Sequence, residues 1–384
     1  MNRVAIKPEL LQWARERAQL AVEDLAERFP KLAGWERGEL MPTFRQLEDF
    51  AKATHTPFGY LFLPEPPAIP LPIRDFRTLA NRCNGFISPE LLDTIHAMQA
   101  RQAWMRDERI DSETGGLFFV GSARLSDDPA DIGREIRRIL GLGNDWAAGL
   151  RTWQEAVGAL RSSIEALGVM AVINGVVGNN THRKLNVDEF RGFALSDEHA
   201  PLIFVNGADA KSAQMFTMAH ELAHLWLGAQ GSGVSGFPGI FPDGGEVEHF
   251  CDAAAAELLV PAAEIRACWD EVKREISPFE LLARRFKVSP IVIGRRAMDL
   301  QLVARQFFFD FYDAYIRQER KQRQDGGGGD FYNNQNARVG KQFATQVIRA
   351  AKEGRIGFGD AYALTGLNGG AFQEYSKRLG LELP

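Results

Sequence analysis

The chain has 384 residues, 45% of them hydrophobic, enough to bury several cores and to point to a multidomain protein. A net charge of −5 excludes bulk attraction to nucleic acid or an anionic membrane, so any DNA contact would rest on a local patch. Cys83, Cys251 and Cys268 follow no paired or metal-type spacing, which excludes a disulfide framework and fits a reducing compartment. There is no signal-like start and no run of about 18 apolar residues, so a cytoplasmic protein without membrane contact is expected.

Residues 1–62 carry three helical apolar patterns, Pro8–Arg17, Val22–Phe29 and Thr43–Thr54. The stretch LAERF…WERGELMPTFRQLEDFA resembles the repressor-type (XRE-like) helix-turn-helix domain, with its W-E-x-G-x-x-P-T-x-x-Q-L signature. Seven residues separate Glu27 from Trp35, about one helical turn fewer than that family has, and Pro30 falls where the recognition helix would be entered. The resemblance thus implies a degenerate helix-turn-helix; the other reading is a helical docking module for protein partners. Residues 63–110 read as a proline-rich linker and helical connector. Leu63–Pro72 is stiffened by five prolines and followed by a charged turn with Arg74, Asp75 and Arg77.

The segment 111–270 holds the chemistry. Asp127–Leu167 is helical by periodicity, and Val169–Val177 is a β-branched run suited to a central strand. Gly192–Leu195 and Leu202–Asn206 read as a hairpin. Gly192, Phe193, Ala194 and Leu195 are the edge on which an extended peptide would pair through its backbone. Ser212–Gly228 is a helix apolar almost all round, with Ser212 as N-cap and Gly228 as its stop. On it His220 and His224 lie one turn apart on one face, and Glu221 is rotated off that line. This is H-E-x-x-H: two imidazoles for Zn²⁺ and a glutamate that takes a proton from water. In the next helix, Glu246–Val260, Glu248 and Asp252 repeat the spacing before Pro261. Two histidines and Glu248 leave one coordination position for water, the layout of a catalytic zinc, and Asp252 would accept the second N–H of a liganding histidine. The glycine-rich connection Gly228–Gly245 reads as a lid or a surface loop.

Residues 271–324 form a second unit of helix-turn-helix proportions. Its Arg284, Arg285, Lys287, Arg295 and Arg296 are either a phosphate-contacting face or a solvated one. Residues 325–384 begin with the flexible linker Asp325–Asp330 and continue as a helical segment in which no chemistry is read.

The motifs FTMAHELAHLWLG and EHFCDAAAAELLVP, with RGFAL and PLIFVN before them, resemble the ImmA/IrrE family of metallopeptidases over about Val169–Leu302. The resemblance implies an α+β, mainly helical multidomain chain. Its zincin-like core, a small β-sheet packed on the H-E-x-x-H helix, is flanked by helical domains. It implies zinc on His220, His224 and Glu248 and Glu221 as general base. Asp252 stands where the family more often has asparagine, and Phe250 replaces a frequently acidic position. Oxyanion donors would come from His182, Arg191, His199 or His249. The implied partner is a cytoplasmic regulatory protein, a repressor or a member of a toxin-antitoxin pair. The alternative is a non-proteolytic antitoxin or transcriptional regulator that uses its helix-turn-helix segments, with the zinc domain as scaffold; a homodimer is left open.

Overall fold

The computed structural model of the protein describes residues 3–69, 87–228, 245–322 and 331–381, together with the strand Val234–Ser235. Cys83, the charged turn with Arg74, Asp75 and Arg77, most of the Gly228–Gly245 connection and the Asp325–Asp330 linker lie outside these residues. Among the described residues the chain is mainly helical with a small mixed sheet, an α+β architecture. It divides into two compact units, Met1–His96 and Ala97–Pro384.

In the first unit α1 (Pro8–Arg17), α2 (Val22–Leu25), α3 (Leu32–Glu36) and α4 (Phe44–Ala53) close over Leu11, Trp13, Phe29, Trp35, Leu47 and Phe50. The signature residues are internal fittings. Trp35 is buried, and Glu36 accepts a forked pair of bonds from Arg15 at 2.7 and 3.0 Å. Gly38 takes a positive φ of 71°, and Thr43 and Gln46 close a capping box that starts α4. Helix α3 has only five residues, in line with the short spacing from Glu27 to Trp35.

Helix α5 (Pro89–Asp111) begins in the first unit and continues into the second. The second unit then adds α6 (Pro129–Ile139), α7 (Trp153–Ala166), β1 (Met170–Asn174), β2 (Val176–Val177), β3 (Asn180–Lys184), β4 (Gly192–Leu195) and β5 (Leu202–Asn206). The long helix α8 (Lys211–Leu227) follows, then β6 (Val234–Ser235) and α9 (Glu246–Leu259). The main sheet has the order β1-β5-β4-β6, with β1 parallel to β5 and the other pairs antiparallel; β2 and β3 form a separate hairpin. The expectation of a central strand at 169–177 is corrected: β1 ends the sheet, yet all five of its residues are buried, because α14 (Phe331–Val339) packs against it.

Helix α8 has no side-chain N-cap; it starts after Ala210, one residue before the expected Ser212 cap. Its other end is built from outside the helix. Gly228 leaves α8 at φ 64°, and a Cβ on it would lie 2.7 Å from Gly121 Cα. Gly121 and Ala123 donate their backbone N–H groups to the carbonyls of Leu225 and Trp226 at 3.0 and 2.9 Å. Phe119 stacks on Trp226 with centroids 4.4 Å apart. The segment 117–123 therefore gives Trp226 O a donor and adds a second one to Leu225 O, which also accepts from the Gly228 N–H.

Helix α9 packs against α8 and α6. Its alanine run lets α6 approach so closely that a Cβ on Gly133 would sit 2.5 Å from Ala254 O. Beyond it come α10 (Ala262–Val272), α11 (Pro278–Phe286), α12 (Pro290–Asp299) and α13 (Arg305–Gln322). Here the basic stretch proves to be only partly a surface. Arg296 is buried against Glu257 and donates to Val260 O at 3.0 Å, and Lys287 is buried and donates to Arg284 O. Arg285 forks onto Asp145 at 2.9 Å, and Arg295 pairs with Asp299 at 3.0 Å. Lys287 and Arg296 thus brace the interior, whereas Arg285 and Arg295 are ion-paired at the surface and Arg284 is exposed.

The C-terminal helices α14, α15 (Lys341–Lys352), α16 (Phe358–Thr365) and α17 (Gly369–Arg378) are part of the second unit. The buried Arg101 guanidinium of α5 donates to Leu364 O and Arg338 O at 2.8 and 2.9 Å, carbonyls in the last turns of α16 and α14. Gln102, Arg106 and Arg109 of the same helix hold the β4–β5 turn, reaching Leu195 O, the Asp197 carboxylate and His199 O.

Candidate metal centre

The apolar pattern that makes α8 hydrophobic all round buries every residue from Gln214 to Leu227. His220 and His224 therefore turn their imidazoles inward, and their Nε2 atoms meet at 2.9 Å. Glu248, from the first turn of α9, brings Oε2 to 3.2 Å from His220 Nε2 and Oε1 to 3.5 Å from His224 Nε2. The three ligand atoms all lie within 4.8 Å of one another. The histidine side chains are 5% and 1% exposed and the glutamate 36%, so the cluster is buried on one side and open to solvent on the Glu248 side.

Asp252, one turn after Glu248, places Oδ1 2.9 Å from His220 Nδ1. An Nδ1–H donated to Asp252 leaves a lone pair on Nε2, aimed at a carboxylate and another ring nitrogen. Such a convergence of acceptors needs a proton or a cation in its midst. Burial alone would lower the His220 pKa, but the hydrogen bonds and charges of Asp252 and Glu248 outweigh it and hold the imidazole well above its ordinary value. Burial likewise would raise Glu248, but His220, with the charges of His224 and His249, pulls it down to about 2. Two imidazole nitrogens and one carboxylate are the donor set of a catalytic zinc, and these residues fit it.

A cation entering this cluster must displace the His220 proton. That proton is held below the raised pKa and lost above it, so binding and deprotonation favour the same direction of pH. Apparent zinc affinity is expected to rise with pH, by up to about tenfold per unit below the raised pKa, with protons released as the ion binds. Competition against a chelator at several pH values measures this; a flat profile would count against the His220 ligand.

Glu221, next to His220, is wholly buried. Burial pushes the Cys251 thiol up, and the charges of Glu248, Glu221 and Asp252 act in the same direction. Strand β4 lies directly over Glu221: a Cβ on Gly192 would be 2.9 Å from Glu221 Oε1. The expectation that β4 offers a free edge is corrected in part. Gly192 and Phe193 pair with Ser235 and Val234, because the connection between the two ligand helices returns a short strand.

The four candidate oxyanion donors are scattered. His182 is exposed on β3, and Arg191 is ion-paired to Asp209 at 3.2 Å. His199 sits in the β4–β5 turn beside Glu198. His249 shares α9 with Glu248 and is exposed. Two supporting residues carried no local signal, Gly121 and Gly133; each acts through a contact distant in sequence.

Residues 165–298 match the family model of the IrrE N-terminal-like domain, and residues 339–378 match a domain of unknown function (DUF8813). No curated protein and no solved structure matches the chain. No described helix is long and apolar enough to cross a membrane. The cluster of His220, His224 and Glu248 lies wholly within the first of these matches, so the candidate metal centre belongs to the part of the chain that is similar to the IrrE N-terminal-like domain.

Proposed function

We propose that the protein is a zinc-dependent endopeptidase acting on a cytoplasmic regulatory protein, a repressor or a partner in a toxin-antitoxin pair. The observation that carries this reading is the convergence of three ligand side chains from two helices, with Asp252 behind His220. Zinc would be held by His220, His224 and Glu248, and when bound it supplies a Lewis acid that polarises a carbonyl and acidifies water. Asp252 accepts the His220 Nδ1–H and so fixes the ring and its tautomer. Glu221 takes a proton from the attacking water and passes it to the leaving amine. His249 is the oxyanion candidate placed on a ligand helix.

The runner-up is a regulator without proteolysis. It is supported by the resemblance of the first unit's sequence to a repressor-type domain; Trp35, Glu36, Gly38, Thr43 and Gln46 of that signature hold its helices together. Those residues are internal, however, and α3 is short for base reading. Docking of a protein partner is therefore assigned to this unit.

A proteome-derived peptide library, incubated with the zinc-loaded protein and read by mass spectrometry, tests the reading. Cleavage that a chelator abolishes and zinc restores is expected. No metal-dependent cleavage, either of the library or of proteins co-purified with the chain, would leave the regulator.

A further inference from the structure

We propose that Gly192 is a positioning residue: its missing side chain sets where the Glu221 carboxylate stands. The inference rests on the reading of Glu221 as the base. Gly192 has no positive φ, unlike Gly228, so backbone freedom does not explain a glycine there. Space does. A Cβ would meet Thr217 Cγ2 at 2.6 Å, Phe204 O at 2.8 Å and Glu221 Oε1 at 2.9 Å. A glycine inside a strand marks a close approach by another group, and here the approaching groups are Thr217 and Glu221, one turn apart on α8.

The sheet explains the direction. Phe193 pairs with Phe204 across the strands and stacks on it at 5.0 Å, on the face away from α8. Ala194 joins the core containing Met218 and Leu222 of α8, so the alternation turns the Gly192 and Ala194 positions toward that helix. Of the three atoms a side chain at 192 would meet, Phe204 O belongs to the paired backbone and cannot yield far. Thr217 can change rotamer. The Glu221 carboxylate, at the end of a flexible side chain, is the group that must move. Gly192 thus leaves the metal ligands alone and acts on their neighbour.

The test is a double-mutant cycle read by calorimetry with acetohydroxamate on the zinc-loaded protein, whose N–OH proton a correctly placed carboxylate accepts. Glu221→Gln and Gly192→Ala are each expected to weaken the probe about tenfold or more, while zinc stays at one per chain. In the Glu221→Gln background, Gly192→Ala is expected to add less than about twofold. Thr217→Ser with Gly192→Ala removes the nearest contact and is expected to bind the probe as weakly as Gly192→Ala alone. Equal losses in both backgrounds, no loss, or failure of both Gly192→Ala proteins to fold would overturn the inference and leave Gly192 a packing residue. If Glu221→Gln binds the probe like the unaltered chain, the base assignment itself falls; if only Gly192→Ala is silent, that assignment stands.

Discussion

Glu221→Gln is expected to keep one zinc per chain and to lower kcat for any cleaved peptide by about 10²–10⁴-fold, with KM little changed. The carboxamide has the shape of the carboxylate, so the fully buried site beside Gly192 accepts it without repacking. What it loses is the capacity to take a proton, and that loss acts on the transition state alone. Metal analysis and steady-state kinetics on the same preparation decide the matter. Proteolysis at the unaltered rate in a zinc-loaded variant would remove Glu221 as base, whereas loss of zinc would make it a structural support of the cluster.

Gly133→Val is expected to destabilise the protein by about 3 kcal/mol and to lower its thermal midpoint by roughly 6–12 °C. A Cβ at 133 would lie 2.5 Å from Ala254 O, 2.8 Å from Glu257 Cβ and 3.2 Å from Leu258 N. Two of these are backbone atoms of α9, which cannot rotate away, so α6 and α9 must part. Valine is chosen over alanine because the helix preference of alanine offsets about 1 kcal/mol of the strain. Since α9 carries Glu248, weaker zinc binding should accompany the fall in midpoint. Unfolding measured with chelator present separates packing loss from metal loss, and an unchanged midpoint would refute the contact.

The ligand helix and its partner were legible because their chemistry is local. Histidines four apart on an apolar helix, and Glu248 with Asp252 at the same spacing, state their faces without any fold. The β4–β5 hairpin was legible too, as two short apolar runs about a polar turn, with the observed bounds Gly192–Leu195 and Leu202–Asn206. What escaped depends on pairs far apart in the chain. Gly133 has meaning only against Ala254, and Gly121 only against Gly228. The basic run at 284–296 read as a surface because charge is normally solvated. Its partners, Asp145 and Glu257, lie on other elements and could not be paired by inspection.

Segment 117–123 has a practical consequence. Similarity over residues 165–298 outlines one domain, yet groups that support the carboxyl end of α8 and the ridge that receives α9 come from upstream of it. A fragment trimmed to the matched boundaries would keep every ligand and lose Phe119, Gly121 and Gly133. Evolutionary likeness and mechanical integrity thus have different borders, and the smallest fragment that folds alone is expected to begin before residue 117.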